Sequence, residues 1–128
     1  MALTEKQRET CLFSQQGEMD AMLMYQKLAK VVKDQKDADT FVQLAAEEGG
    51  HASVFHELTG EVLKPKKTKS IVVPLMYKIC GKKFTYNIIA KNEYDAAKKY
   101  EPVVKDFPQV ESVKNDEVRH GDTVKALI

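Results

Sequence analysis

The chain has 128 residues, of which 20 are basic and 19 acidic, giving a formal net charge of +1. That length suits one domain whose core needs no disulfide support, and a charge so near zero gives no bulk attraction to nucleic acid or to an acidic membrane. Cys11 and Cys80 form no C-x-x-C pair and the first residues, MALTEKQRET, are too polar for a signal peptide; with no apolar run of the ~18 to 20 residues that span a bilayer, a single cytoplasmic domain over residues 1–128 is expected.

In chain order, apolar residues recur at helical spacing from Thr4, the expected N-cap, to about Val32, where the β-branched pair Val31-Val32 weakens the pattern. The polar stretch KDQKDAD follows, and Asp37 or Asp39 is expected to cap a second helix that runs to about Leu58 and stops at Thr59-Gly60. From Glu61 to Gly81 runs a connection of about twenty residues, far longer than an ordinary helix-to-helix turn. Its first half, EVLKPKKTK, reads as a solvated basic linker, and its second, SIVVPLMYKIC, as a short helix laid across the other helices. The strip Ile71 to Ile79 suits a contact between two copies, so a homodimer is expected. A third long helix spans about Lys82 to Tyr100 and weakens at Pro102, and a fourth starts near Pro108 and continues to Ile128. Its helical pattern is still running at VKALI, as expected of a piece cut from something longer. The whole predicts an all-α four-helix bundle with one long crossover between helices 2 and 3.

Each predicted helix carries one glutamate in the middle of its apolar stripe. Glu18 shares a face with Cys11, Met22, Tyr25 and Ala29; Glu48 with Phe41, Leu44, Ala45, Ala52 and Phe55. Glu93 lies with Tyr86, Ile89, Ala90, Ala97 and Tyr100, and Glu117 with Val110, Val113 and Val124. Glutamate is almost never buried unless its charge is compensated, so four of them converging on one core call for cations. Two of the three histidines, His51 and His120, stand three residues after Glu48 and Glu117, a spacing that delivers an oxygen and a nitrogen from one helical face. Four carboxylates carry about −4 and two divalent ions about +4, and oxygen plus imidazole suits iron, manganese or zinc. On this reading each motif serves one ion, and the remaining glutamates, Glu18 and Glu93, can bridge.

Other residues have plainer readings. His56 lacks the spacing and reads as a surface or packing residue. Met19, Met22 and Met24 are ordinary helix-face residues, with Met22 alone near the site. Tyr25 and Tyr100, each seven residues after a stripe glutamate, are either core aromatics or hydrogen-bond donors to a ligand. Gly49 and Gly50 stand where a helix prefers alanine, which points to close approach of another backbone or of a small oxidant.

Glu18, Glu48-Gly-Gly-His51, Glu93 and Glu117-Val-Arg-His120 together resemble the six-ligand pattern of the ferritin-like di-iron family, and within it the rubrerythrin-like branch, over essentially the whole chain. The resemblance implies a ferritin-like bundle holding two iron ions that react with peroxide or dioxygen. It also implies that Asp116 accepts a hydrogen bond from the far nitrogen of His51, that Arg119 holds Asp116, and that Glu47 serves His120 in the same way. Two departures stand out: there are no C-x-x-C pairs for a rubredoxin-like iron site, so an external electron donor is required, and Ala96 stands where the family's extra glutamate would be. The length and the crossover also look like the rubrerythrin-type domain that precedes a membrane metal-transporter domain. The readings carried forward are therefore a peroxidase- or ferroxidase-type di-iron protein, an iron or manganese sensor or delivery module, and a bundle without metal.

Overall fold

The computed structural model describes residues 2–128. Six helices follow in order: α1 Glu5–Ala29, α2 Gln35–Thr59, α3 Thr68–Cys80, α4 Lys82–Lys99, α5 Glu101–Val104 and α6 Pro108–Ala126. The four long ones, α1, α2, α4 and α6, form the bundle, α3 is the crossover helix, and α5 is one turn at the Pro102 break.

Thr4 starts α1 through a reciprocal cap: its hydroxyl accepts from the Gln7 N–H at 3.1 Å, and the Gln7 side chain accepts from the Thr4 N–H at 2.9 Å. The helix ends at Ala29, a turn before Val32, because the β-branched pair enters the tight turn to α2. The second helix starts earlier than the sequence suggests. Its cap is Asp34, which accepts from the N–H groups of Lys36 at 2.8 Å and Asp37 at 3.3 Å, not Asp37 or Asp39. Asp37 is instead buried, accepting from the Tyr86 hydroxyl at 2.8 Å and pairing with Lys82 at 3.2 Å. Gly60 closes α2 at φ 69°, a left-handed position that favours glycine. The fourth long helix gives out at Ala126.

The basic half of the crossover is not a free linker. Gln15 donates to the Glu61 carbonyl and Gln16 to the Lys64 carbonyl, both at 2.8 Å, while Asp20 accepts from the Lys66 N–H at 2.6 Å. These bonds strap the segment along α1. From there α3 lies against the bundle, with Val73 and Tyr77 packed on the core.

Two apolar clusters form that core. Tyr25, Leu28, Phe41, Leu44, Tyr86 and Ile89 make one, and Cys11, Phe55, Tyr100, Val103, Phe107 and Val110 the other. Along every long helix the two clusters lie on opposite sides of the stripe glutamate. Burial of such aromatic and aliphatic side chains stabilises by about 1.5–3 kcal/mol each, and the clusters clamp a polar layer between them.

Candidate metal centre

The polar layer is made by six side chains. Glu18 comes from α1, Glu48 and His51 from α2, Glu93 from α4, and Glu117 and His120 from α6, and all six are buried, with Glu48 and His120 at 0 % exposure. Their donor atoms fall into two groups: Glu18, Glu48, His51 and Glu117, and Glu48, Glu93, Glu117 and His120, each set lying within 4.8 Å. His51 Nδ1 faces Glu117 Oε1 at 3.0 Å, Glu18 Oε2 at 3.3 Å and Glu48 Oε2 at 3.9 Å. His120 Nδ1 faces Glu48 Oε1 at 2.7 Å, Glu93 Oε2 at 3.1 Å and Glu117 Oε1 at 3.3 Å. The residues common to both groups are thus Glu48 and Glu117, not Glu18 and Glu93. Sequence spacing assigns each Glu-x-x-His motif to one ion; packing turns the motif glutamates inward between the two groups and leaves Glu18 and Glu93 at the outer ends.

The donor set fits a pair of divalent ions. Glu18 Oε2, Glu48 Oε2, Glu117 Oε1 and His51 Nδ1 are buried without a hydrogen-bond partner, and all four belong to the His51 group. Buried polar atoms are almost always paired, so four orphans converging on one spot mark a place where something else bonds them. The electrostatics agree. Burial pushes the Glu48 carboxyl well above the usual carboxylate range, and the neighbouring Glu18 adds to the push. Burial likewise lifts Glu93 to about 7 against the pull of His120. Burial opposes charge on Glu117 too, but contacts with His120 and His51 outweigh it and hold that carboxyl down at about 2. At His120 burial works against the imidazolium, yet Glu117, Glu48 and Glu93 outweigh it and push it up to about 12; His51 is raised for the same reason by Glu117, Glu18 and Glu48. The carboxylates thus draw positive charge to the very place where divalent ions would do the same electrostatic work.

Behind the six stands a supporting layer. His51 Nε2–H donates to Asp116 Oδ2 at 2.8 Å, and His120 Nε2–H to Glu47 Oε1 at 3.0 Å, so both rings turn Nδ1 toward the glutamates. One guanidinium serves both acids: Arg119 donates to Asp116 at 3.3 Å and also to Glu47. Burial of Glu47 opposes its charge, but hydrogen bonds from Arg119, Gln43 and His120 outweigh this and keep it down at about 2. The Tyr25 hydroxyl donates to Glu93 Oε1 at 3.1 Å, and the Tyr100 hydroxyl donates to Glu18. Burial first, and the nearby glutamates second, keep both tyrosines protonated. The pattern is reciprocal: the tyrosine of α1 holds the glutamate of α4 and the tyrosine after α4 holds the glutamate of α1, while Glu47 of α2 serves the histidine of α6 and Asp116 of α6 the histidine of α2.

A family model for rubrerythrin matches residues 11–128. The chain belongs to the rubrerythrin family. No curated protein and no solved structure matches it. The rubrerythrin domain is a ferritin-like bundle, which fits the four long helices and single crossover, and the family's di-iron carboxylate chemistry fits two buried groups that can hold metal.

Several residues sit elsewhere. His56 is exposed and its Nδ1 donates to the Glu61 carbonyl at 2.8 Å, away from the centre. No second backbone lies against either glycine of the Glu48 motif: a Cβ at Gly49 would meet Met22 Sδ at 3.1 Å, and one at Gly50 would meet nothing within 4 Å. Sequence reading also missed a cavity of about 520 Å³ that reaches Glu18, Glu48, Glu93 and Glu117 but neither histidine, and whose walls include Gly17, Ala21, Met24, Ile89 and Ala96. Its only trace in the sequence is small residues at positions 17, 21 and 96 on two different helices. In this member of the rubrerythrin family, Ala96 thus lines a space beside the four buried carboxylates of the centre.

Proposed function

We propose that the chain binds two iron ions between its long helices and reduces peroxide or dioxygen there, taking electrons from a separate donor; manganese or zinc would find the same ligands acceptable. The observation that carries this reading is the doubled donor set with Glu48 and Glu117 common to both halves. Glu18, Glu48, His51 and Glu117 would hold one ion and Glu48, Glu93, Glu117 and His120 the other. When bound, a ferrous pair supplies the two electrons that reduction of hydrogen peroxide to two waters consumes, along with two protons.

The chain's own contribution is orientation and charge. Asp116 and Glu47 fix the ring nitrogen that each histidine presents, and such outer partners raise ligand basicity. Tyr25 and Tyr100 restrain the outer carboxylates of Glu93 and Glu18 by donating to one oxygen of each. The cavity supports entry of a small oxidant on the carboxylate side. With no C-x-x-C pair among these 128 residues, the electrons for turnover come from outside them.

Stopped-flow oxidation of the anaerobic ferrous protein tests this. Consumption of about one H₂O₂ per iron pair, faster than oxidation of free Fe²⁺ in the same buffer, is the expected result. Tight binding of Fe²⁺ or Mn²⁺ with oxidation no faster than in buffer would instead favour a sensing or delivery module.

A further inference from the structure

Between Val62 and Asn92 the chain has eight lysines and no acidic residue, a local +8 that leaves 12 basic against 19 acidic residues elsewhere. Only Lys82, with Asp37, and Lys91, with Asp95, are in ion pairs. Among the described residues Lys64, Lys66, Lys67, Lys69, Lys78 and Lys83 are exposed and make none. Amid this charge α3 turns one face to the bundle through Val73 and Tyr77 and another to solvent. On the solvent face Ile71 is 64 % exposed, Leu75 53 % and Ile79 74 %, three residues spaced four apart and therefore in one row, with Val72 and the nearby Phe84 also exposed. Clean exposure of a row of large aliphatic side chains is costly in water, and solitary exposed residues would not line up this way.

We propose that this face adsorbs to an anionic lipid bilayer, with α3 lying in the headgroup plane, its aliphatic row below the phosphates and the lysines among them. An amphipathic helix of this composition binds by apolar burial together with attraction to anionic lipid. The bonds from Gln15, Gln16 and Asp20 fix the lysine-rich strap against α1, so the charges and the apolar row are presented on a rigid body. No described helix is long and apolar enough to cross a membrane, so the contact is adsorption. A second copy of the chain is the poorer occupant, because joining two such faces sets six unpaired lysines against six. An acidic protein surface would answer the lysines but not the aliphatic row. An anionic bilayer answers both.

Co-sedimentation with vesicles tests the proposal on the full chain. Vesicles of phosphatidylcholine with phosphatidylglycerol should bind the protein, pure phosphatidylcholine should not, and added salt should release it. Replacing Lys64, Lys66, Lys67 and Lys69 together with Gln should lower partitioning by about a hundredfold or more. Ile71→Asn with Leu75→Asn and Ile79→Asn should lower it by about tenfold or more. Val42→Ser, on an exposed apolar residue of α2, should leave it unchanged. Circular dichroism checks that the helices persist, and the lysine variants, which lie on the exposed strap, keep the test decisive if the α3 variant unfolds. Binding that survives either set of changes, equal binding to both vesicle types, or no binding to either overturns the proposal. So does a light-scattering dimer that the α3 substitutions convert to monomer, which would assign the face to a second copy.

Discussion

At the scale of single residues, the sharpest consequence is the division between shared and outer glutamates. Glu48 and Glu117 each belong to both donor groups, whereas Glu18 and Glu93 belong to one. Metal analysis should therefore find both ions lost or greatly weakened in Glu48→Ala and Glu117→Ala, about one ion retained in Glu18→Ala or Glu93→Ala, and full occupancy in His56→Ala. Two ions retained in Glu48→Ala would sink the assignment. Protons give an independent measure. In the metal-free protein His120 is pushed up to about 12 and His51 is also raised, so both are imidazolium near neutral pH, while a metal needs the neutral ring. Glu48 and Glu93 are raised toward their protonated forms as well, so loading should release more than two protons per chain, and apparent affinity should rise as pH rises toward the folded-state values and fall as pH drops. Calorimetry in buffers of different ionisation enthalpy measures the release directly, and a pH-independent affinity would contradict it. That these six side chains meet in one buried layer was legible in the sequence, because a glutamate inside an apolar stripe is so poorly explained by packing. Which of them are shared was not legible, because that depends on how far each helix is rotated in the bundle and not on spacing within it.

Helices carry the next set of consequences, since glycines inside them cost stability unless something needs the space. Gly50 faces open surroundings in α2, so Gly50→Ala should raise unfolding free energy by about 1 kcal/mol in a denaturant titration. Gly121 is the opposite case. A Cβ there would lie 2.5 Å from Tyr94 Cε1, on a ring whose hydroxyl donates to Asp122 at 2.5 Å. Gly121→Ala should lose about 1–3 kcal/mol to overpacking despite the same gain in propensity. Because Glu93 precedes Tyr94 and His120 precedes Gly121, it should also reduce metal occupancy; an alanine variant as stable and as fully loaded as wild type would show that the ring moves aside freely. Helix identity and order could be read from apolar periodicity, and the caps at Thr4 and Gly60 from residue type. The start of α2 could not. Asp34, Asp37 and Asp39 are equally good caps in isolation, and the choice is made by Tyr86 and Lys82 on α4, which take Asp37 for the core. The strapped crossover was hidden for the same reason, since Gln15 and Gln16 look like ordinary surface residues until the chain returns beside them.

For the molecule as a whole, the centre lies between two apolar clusters and joins all four long helices, so its occupancy is linked to global stability. Ligand that binds only the folded state stabilises by about 2.7 kcal/mol at a hundredfold excess over Kd. Chelation should lower the unfolding temperature, and Glu48→Ala should be insensitive to added metal; equal melting with and without metal would separate the centre from the fold. The reciprocity of the supporting layer adds something beyond stability. α1 with α2 and α4 with α6 are two hairpins, and each supplies the tyrosine and the surface acid that steady the ligands of the other. Neither hairpin contains a finished pocket. A bound ion pair would therefore act as the clasp of a two-piece object, whose pieces meet at the exposed Gly81 between α3 and α4, where φ is 86°. A chain nicked there should travel as one particle while loaded and become separable once the clasp is removed.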